Sequence, residues 1–115
     1  MKIVPHWTDI PAAPVTMEGA RDAMKRLVIG PADGAPAFAL RVFTLAPGGF
    51  TPFHRHPFEH ENVILEGRGV LRTEAGDVPL APGAMVLVRP DELHQFRNAG
   101  DAPFSFVCLV PNAYA

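Results

Sequence analysis

The spacing of proline and glycine limits this chain more than any other feature. Turn-forming clusters fall at Gly30-Pro31 with Asp33-Gly34, at Pro47-Gly48-Gly49, at Gly67 with Gly69, and at Gly76-Asp77. Further clusters follow at Pro82-Gly83, at Pro90-Asp91 and over residues 98–101. Proline lacks a backbone donor and glycine reaches positive φ without steric penalty, so each cluster interrupts regular structure. Clusters about 8 to 15 residues apart leave no room for long helices and match the punctuation of an all-β sandwich or barrel. Between them, residues 38–45, 63–65, 70–73, 84–88 and 104–110 are rich in β-branched, aromatic and aliphatic side chains, which suit strands. Two shorter extended pieces are expected at 54–56 and 93–97. Residues 25–29 alternate well enough for another strand, although 19–27 also allow two helical turns. About eight strands predict a jelly roll or closed barrel, which hides its strand edges.

A length of 115 residues predicts one domain. Pro5, Pro11 and Pro14 make residues 1–22 an irregular arm, and residues 23–115 are expected to form the barrel. Apolar residues make up 48% and charged residues 19%, a globular balance rather than a disordered one. The net charge of −2, without a basic block, argues against nucleic-acid binding through phosphate neutralisation. No apolar run approaches the roughly 20 residues of a membrane span, so no membrane partner is expected. His6 and Asp9 interrupt any apolar leader, and no signal peptide is expected. The single cysteine, Cys108, has no internal partner, which suits the reducing cytoplasm.

The chemistry lies in the histidines. Three of five fall within seven residues, His54-Arg55-His56-Pro57-Phe58-Glu59-His60, and a fourth, His94, follows the Pro90-Asp91 turn. Alternate residues of an extended segment face the same way, so His54 and His56 project together. Pro57 bends the chain and lets His60 return to that side on the next strand, while His94 shares a face with Phe96 and Asn98. Several neutral imidazoles inside an apolar barrel would each need a hydrogen-bond partner, whereas one cation satisfies a nitrogen of each. His54, His56, His60 and His94 are therefore the candidate ligands of one divalent transition metal ion.

These residues carry a family resemblance. Gly48, five residues, His54-Arg55-His56, three residues, His60, six residues and Gly67 reproduce the spacing of the first cupin motif, with His60 where most cupins have glutamate. His94, three residues and Asn98 resemble the end of the second motif, whose opening is altered by Glu92 in place of glycine. His-x-His-Pro-aromatic-Glu-His-Glu, the Leu65-Glu66-Gly67 turn, Phe96-Arg97-Asn98 and the Cys108-Leu109-Val110-Pro111 ending resemble single-domain cupins with four-histidine sites, some known as manganese cupins. The resemblance covers roughly residues 24–111. It implies a double-stranded β-helix (jelly-roll β-barrel) and a homodimer, with manganese or iron as the favoured metal and zinc, nickel or copper compatible. Glu61 is the rival third ligand if a bulge after Pro57 reverses the local alternation.

Four neutral ligands leave a divalent ion its full charge and two open octahedral positions. The leading expectation is an oxidoreductase of dioxygenase type acting on a small organic substrate. A metal-dependent isomerase or lyase, or a non-catalytic ligand-binding module, are the alternatives. Phe50, Phe53, Phe58, Phe96, Phe104 and Phe106 are expected mainly in the core. Any that line the pocket favour a small apolar or aromatic substrate over a sugar phosphate. Arg41, Arg55 and Arg97 are candidates to orient a carboxylate, with surface solvation as their default. Glu59 and Glu61 are candidates to hold the outer nitrogens of ligating histidines. Cys108 is read as a small buried hydrophobe, with a place near the metal as the rarer alternative. Trp7 and Tyr114 stand too far from other motifs to carry a role, beyond anchoring a dimer contact.

Overall fold

The computed structural model describes Met1 to Ala115 and contains nine strands, three short 3₁₀ turns and no α-helix. The strands are β1 (Ala13–Pro14), β2 (Arg21–Ile29), β3 (Phe38–Phe50), β4 (His60–Glu66), β5 (Gly69–Thr73), β6 (Gly76–Leu80), β7 (Met85–Val88), β8 (His94–Asn98) and β9 (Phe104–Pro111). Every pairing is antiparallel. The path runs β6-β5-β8-β3-β9-β4-β7, and β2 adds to the free edge of β3.

The long strand β3 joins the two halves of the curled sheet. Phe38 to Leu45 pair with β9, and beyond the end of β9 Phe50 pairs with Arg97 of β8. Pro47-Gly48-Gly49, expected as a turn, instead lies within β3 as an irregularity opposite Arg21 and Ala23. Gly48 has φ +80, and a Cβ on Gly49 would lie 2.8 Å from Asp22 O and 2.9 Å from Arg21 O. The missing side chain is what lets β2 pass this close, and the bulge bends the strand so that one sheet folds over on itself.

Burial follows the alternation of the strands. In β4, His60, Asn62 and Ile64 are buried while the residues between them are partly exposed. The main core draws Ala23, Leu45, Ile64, Leu71, Leu80, Phe96, Phe104 and Phe106 from seven strands. Phe96 stacks on Phe106 with ring centroids 4.3 Å apart, and Phe104 meets Phe106 at 5.5 Å. A smaller cluster of Ala39, Cys108 and Val110 packs with Phe43 and Phe58. No helix is long and apolar enough to cross a membrane.

Candidate metal centre

The four histidines come together at one end of the barrel. His60 opens β4, His94 opens β8, and His54 and His56 sit on the connection between β3 and β4. That connection is no strand, contrary to expectation. One isolated β-bridge lies on it, with His54 N donating to His94 O at 3.2 Å and His94 N donating to His54 O at 3.0 Å, and Asp91 N donates to His56 O at 2.8 Å. Proline at 52 and 57 leaves too few donors nearby for a longer ladder.

Ring centroids are 5.1 Å apart for His54–His56, His54–His94 and His56–His60, and 4.9 Å apart for His56–His94 and His60–His94. His54, His56 and His94 offer nitrogens within 4.8 Å of one another. His60 joins them through His94, with the two Nε2 atoms 3.1 Å apart.

The outer nitrogens define what those inner ones are. His56 Nδ1 donates to Phe58 O at 2.8 Å, His94 Nδ1 to Glu92 O at 2.7 Å, and His60 Nδ1 to Asn62 Oδ1 at 2.7 Å. A carbonyl oxygen only accepts, so each of these Nδ1 atoms carries the hydrogen. Asn62 cannot be turned the other way without loss, because its amide donates to Val107 O at 3.1 Å. A neutral ring has one N–H, which leaves the inner Nε2 of all three rings as bare lone pairs.

Burial keeps His60 and His94 neutral. It pushes His60 down to about 3, against the hydrogen bond to Asn62, and neighbouring imidazoles add to the effect. It pushes His94 down to about 4 and lowers His54 as well. At neutral pH the 3.1 Å contact between His60 and His94 therefore sets one lone pair against another. A cation shared by His60 and His94 would remove that conflict, since each Nε2 lone pair would then face positive charge. The donor set thus fits a divalent transition metal.

The same shifts have a consequence for metal-free protein. Below the ordinary histidine value of 6.5 the unfolded chain takes up protons that buried His60 and His94 refuse. Stability must then fall as pH drops from about 6.5 toward the folded-state values. Urea midpoints of chelator-treated protein are expected to decline steadily from pH 7 to pH 5. A flat profile over that interval would mean the rings are not buried as described.

Several expectations change. Glu59 and Glu61 do not hold the outer nitrogens, which go to two backbone carbonyls and Asn62. Loss of solvent, and then the neighbouring Glu59, raise the Glu61 carboxyl. Glu61 lies in neither the ring cluster nor the cavity wall. Asn62 was not singled out from sequence, although its place two residues after His60 on β4 puts it on the same face.

A cavity of about 280 Å³ opens onto the rings, walled by Phe43, Phe58, Phe96 and Phe106. Phe96 and Phe106 serve both core and wall, Phe104 is core alone, and Phe53 is exposed beneath Arg72. Phe43 was not anticipated. Phe58 stacks on His56 at 3.9 Å and on Tyr114 at 4.0 Å, which ties Tyr114 to the site after all. Trp7 lies away from it, under Arg26. The N-terminal arm contributes Val15 and Met17 to the wall. Among the arginines, Arg55 pairs with Glu74 and Arg97 is exposed, whereas Arg41 lines the cavity and donates to Cys108 Sγ at 3.0 Å. Cys108 is both buried and beside the site, and burial raises its thiol despite Arg41.

A family model described as "Cupin domain" matches residues 41–110. The fold superposes on the polyketide cyclase RemF from Streptomyces resistomycificus with a TM-score of 0.89 and 32% identity, covering 96% of this chain and 80% of that one. The auxin-binding protein T85 of Nicotiana tabacum is 39% identical over 56 residues, 49% of this chain and 27% of its own length. The glucose-6-phosphate isomerase of Pyrococcus abyssi is 36% identical over 70 residues, 54% of this chain and 37% of its own. The chain thus spans between about a quarter and two fifths of these two curated relatives.

Proposed function

This chain belongs to the cupin family, and from that premise we propose that it is a metal-dependent enzyme. In this reading His54, His56, His60 and His94 hold one divalent transition metal ion, and a small conjugated carbonyl compound binds in front of it. The bare Nε2 atoms of His60 and His94, 3.1 Å apart at the floor of an aromatic-walled cavity, carry this reading. Manganese or iron remain the first choices, with zinc, nickel and copper compatible with imidazole ligands.

A divalent ion held there would supply Lewis acidity to a carbonyl or enol oxygen. The rest is done by the chain. Four imidazoles neutralise none of the ion's charge, unlike a set containing glutamate. The carbonyls of Phe58 and Glu92, with Asn62, fix the ring planes before any ligand arrives. Phe43, Phe58, Phe96 and Phe106 exclude water from the cavity and offer flat faces to a conjugated substrate. The volume of about 280 Å³ suits a ligand of one or two rings. Non-redox rearrangement of an enolisable substrate, by cyclisation or isomerisation, is the reaction class we favour. The likeness to a polyketide cyclase at 32% identity supports it.

A dioxygenase-like oxidoreductase is the second reading, favoured by the four-nitrogen donor set with its undiminished cationic charge. One experiment separates the two. Metal-loaded protein is incubated with a panel of β-diketones and hydroxynaphthoates, with and without dioxygen, and again after chelation. The expected result is conversion that survives anaerobiosis and stops on chelation. Conversion that consumes dioxygen would select the second reading. Tight retention of a panel compound without any conversion would reduce the protein to a binding module.

A further inference from the structure

Two cationic side chains face this cavity, Lys25 of β2 and Arg41 of β3, and no acidic side chain does. The ion pairs of the molecule lie elsewhere, at Lys2–Asp33, Arg21–Asp22, Arg55–Glu74 and Arg89–Glu92. The chain has twelve acidic residues and a net charge of −2, yet none of its acidic side chains pairs with these two.

Arg41 is held in place but not satisfied. Its guanidinium lies over the Phe43 ring, 5.0 Å from the centroid, and Nη2 donates to Cys108 Sγ at 3.0 Å. A thiol sulfur is a weak acceptor. Arg41 Nε is buried with no partner at all. Burial, and then the charge of Arg41 nearby, lower the Lys25 ammonium, which fits two cations sharing a confined space. Both side chains are half-buried, and a buried donor left without an acceptor, as Arg41 Nε is, costs free energy that an incoming acceptor would recover. A guanidinium fork matches a carboxylate in two parallel hydrogen bonds.

We propose that Lys25 and Arg41 form an anion-recognition end of the cavity, and that the substrate is a small aromatic or conjugated acid bearing a carboxylate or enolate. The aromatic walls hold its rings, the two cations hold its charged oxygens, and the histidine cluster lines the same cavity. This rests on the reading of the cavity as the substrate site of a metal-dependent cupin, and it narrows the substrate class within that reading.

The test uses 3-hydroxy-2-naphthoate and its neutral analogue 3-hydroxy-2-naphthamide, with binding followed by fluorescence. Wild-type protein is expected to prefer the carboxylate by about tenfold or more. R41M should weaken naphthoate binding about ten- to hundredfold while naphthamide affinity changes less than about twofold. The naphthamide affinity itself reports that the variant is folded. R41K should keep part of the preference, and K25M, on a different strand, should also reduce it. Equal affinity of the wild type for both probes would overturn the proposal. So would a parallel loss of both probes in R41M together with an unchanged preference in K25M. Glucose 6-phosphate serves as a competitor, and displacement of naphthoate at concentrations below the naphthoate Kd would assign the subsite to a sugar phosphate and overturn the aromatic acid. Each titration is repeated after chelation. A carboxylate preference that persists in protein unable to bind metal would sink the metal reading and leave the anion subsite standing. Metal binding without carboxylate preference would do the reverse.

Discussion

Replacing His56 with alanine will leave the protein without tightly held metal. His56 is the ring that ties the cluster together, since it approaches His54, His60 and His94 at centroid distances of 5.1, 5.1 and 4.9 Å. Losing only an outer hydrogen-bond partner typically costs ten- to a hundredfold in metal affinity, so losing the ring should cost more than about a hundredfold. Elemental analysis of freshly purified protein and chelator competition measure it. His56 is only half-buried and lies on a connection outside the strands, and its backbone bond from Asp91 N survives the change of side chain, so circular dichroism should be unchanged. Metal content equal to that of the wild type would remove His56 from the site.

Phe106→Ala will strongly destabilise the fold. The ring is 2% exposed and contacts Phe96, Phe104 and Phe43 at centroid distances of 4.3, 5.5 and 5.6 Å. Truncating such a phenylalanine costs about 3–5 kcal/mol, from lost transfer energy and the void left behind. That is a large share of the roughly 5–15 kcal/mol that hold a domain of this kind together. Urea denaturation followed by circular dichroism gives the value. A loss below about 1 kcal/mol would mean that neighbouring rings collapse into the space.

The turn clusters made the all-β class legible, because proline and glycine act locally and their effect needs no tertiary context. The clustering of the histidines was legible from their spacing, although the His54–His56 segment is a connection rather than the extended strand that alternation assumed, and His94 reaches it through a bridge to His54. Two strand features were hidden for opposite reasons. Residues 76–80 contain Gly76, Asp77 and Pro79 and read as a turn, yet they form β6, where Pro79 is tolerated because the strand lies at the end of the sheet path. Pro47-Gly48-Gly49 also reads as a turn, but β2 and β8 hold it inside β3 as a bulge.

Roles fixed by backbone atoms or by the sheet's curl were not legible. The partners of His56 and His94 are carbonyl oxygens, which every residue carries and no residue type announces. Glu59 and Glu61 were the visible carboxylates, and the conformation beyond Pro57 does not deliver them. Arg41 and Lys25 look like ordinary solvated cations in a strand. Which side of that strand is interior depends on how β2 and β3 wrap around the barrel, and pattern alone does not encode it.

The bulge at Pro47-Gly48-Gly49 also separates responsibilities within the chain. The strands on its near side, β2 and β3, carry the two cations, whereas the imidazoles come from β4, β8 and the connection that follows β3. Changes that rewrite selectivity therefore fall on one part of the scaffold and changes to the reactive centre on another. A duplicated copy can drift toward a differently charged substrate by altering residues 25 and 41 alone, with the histidines on their separate elements inherited intact.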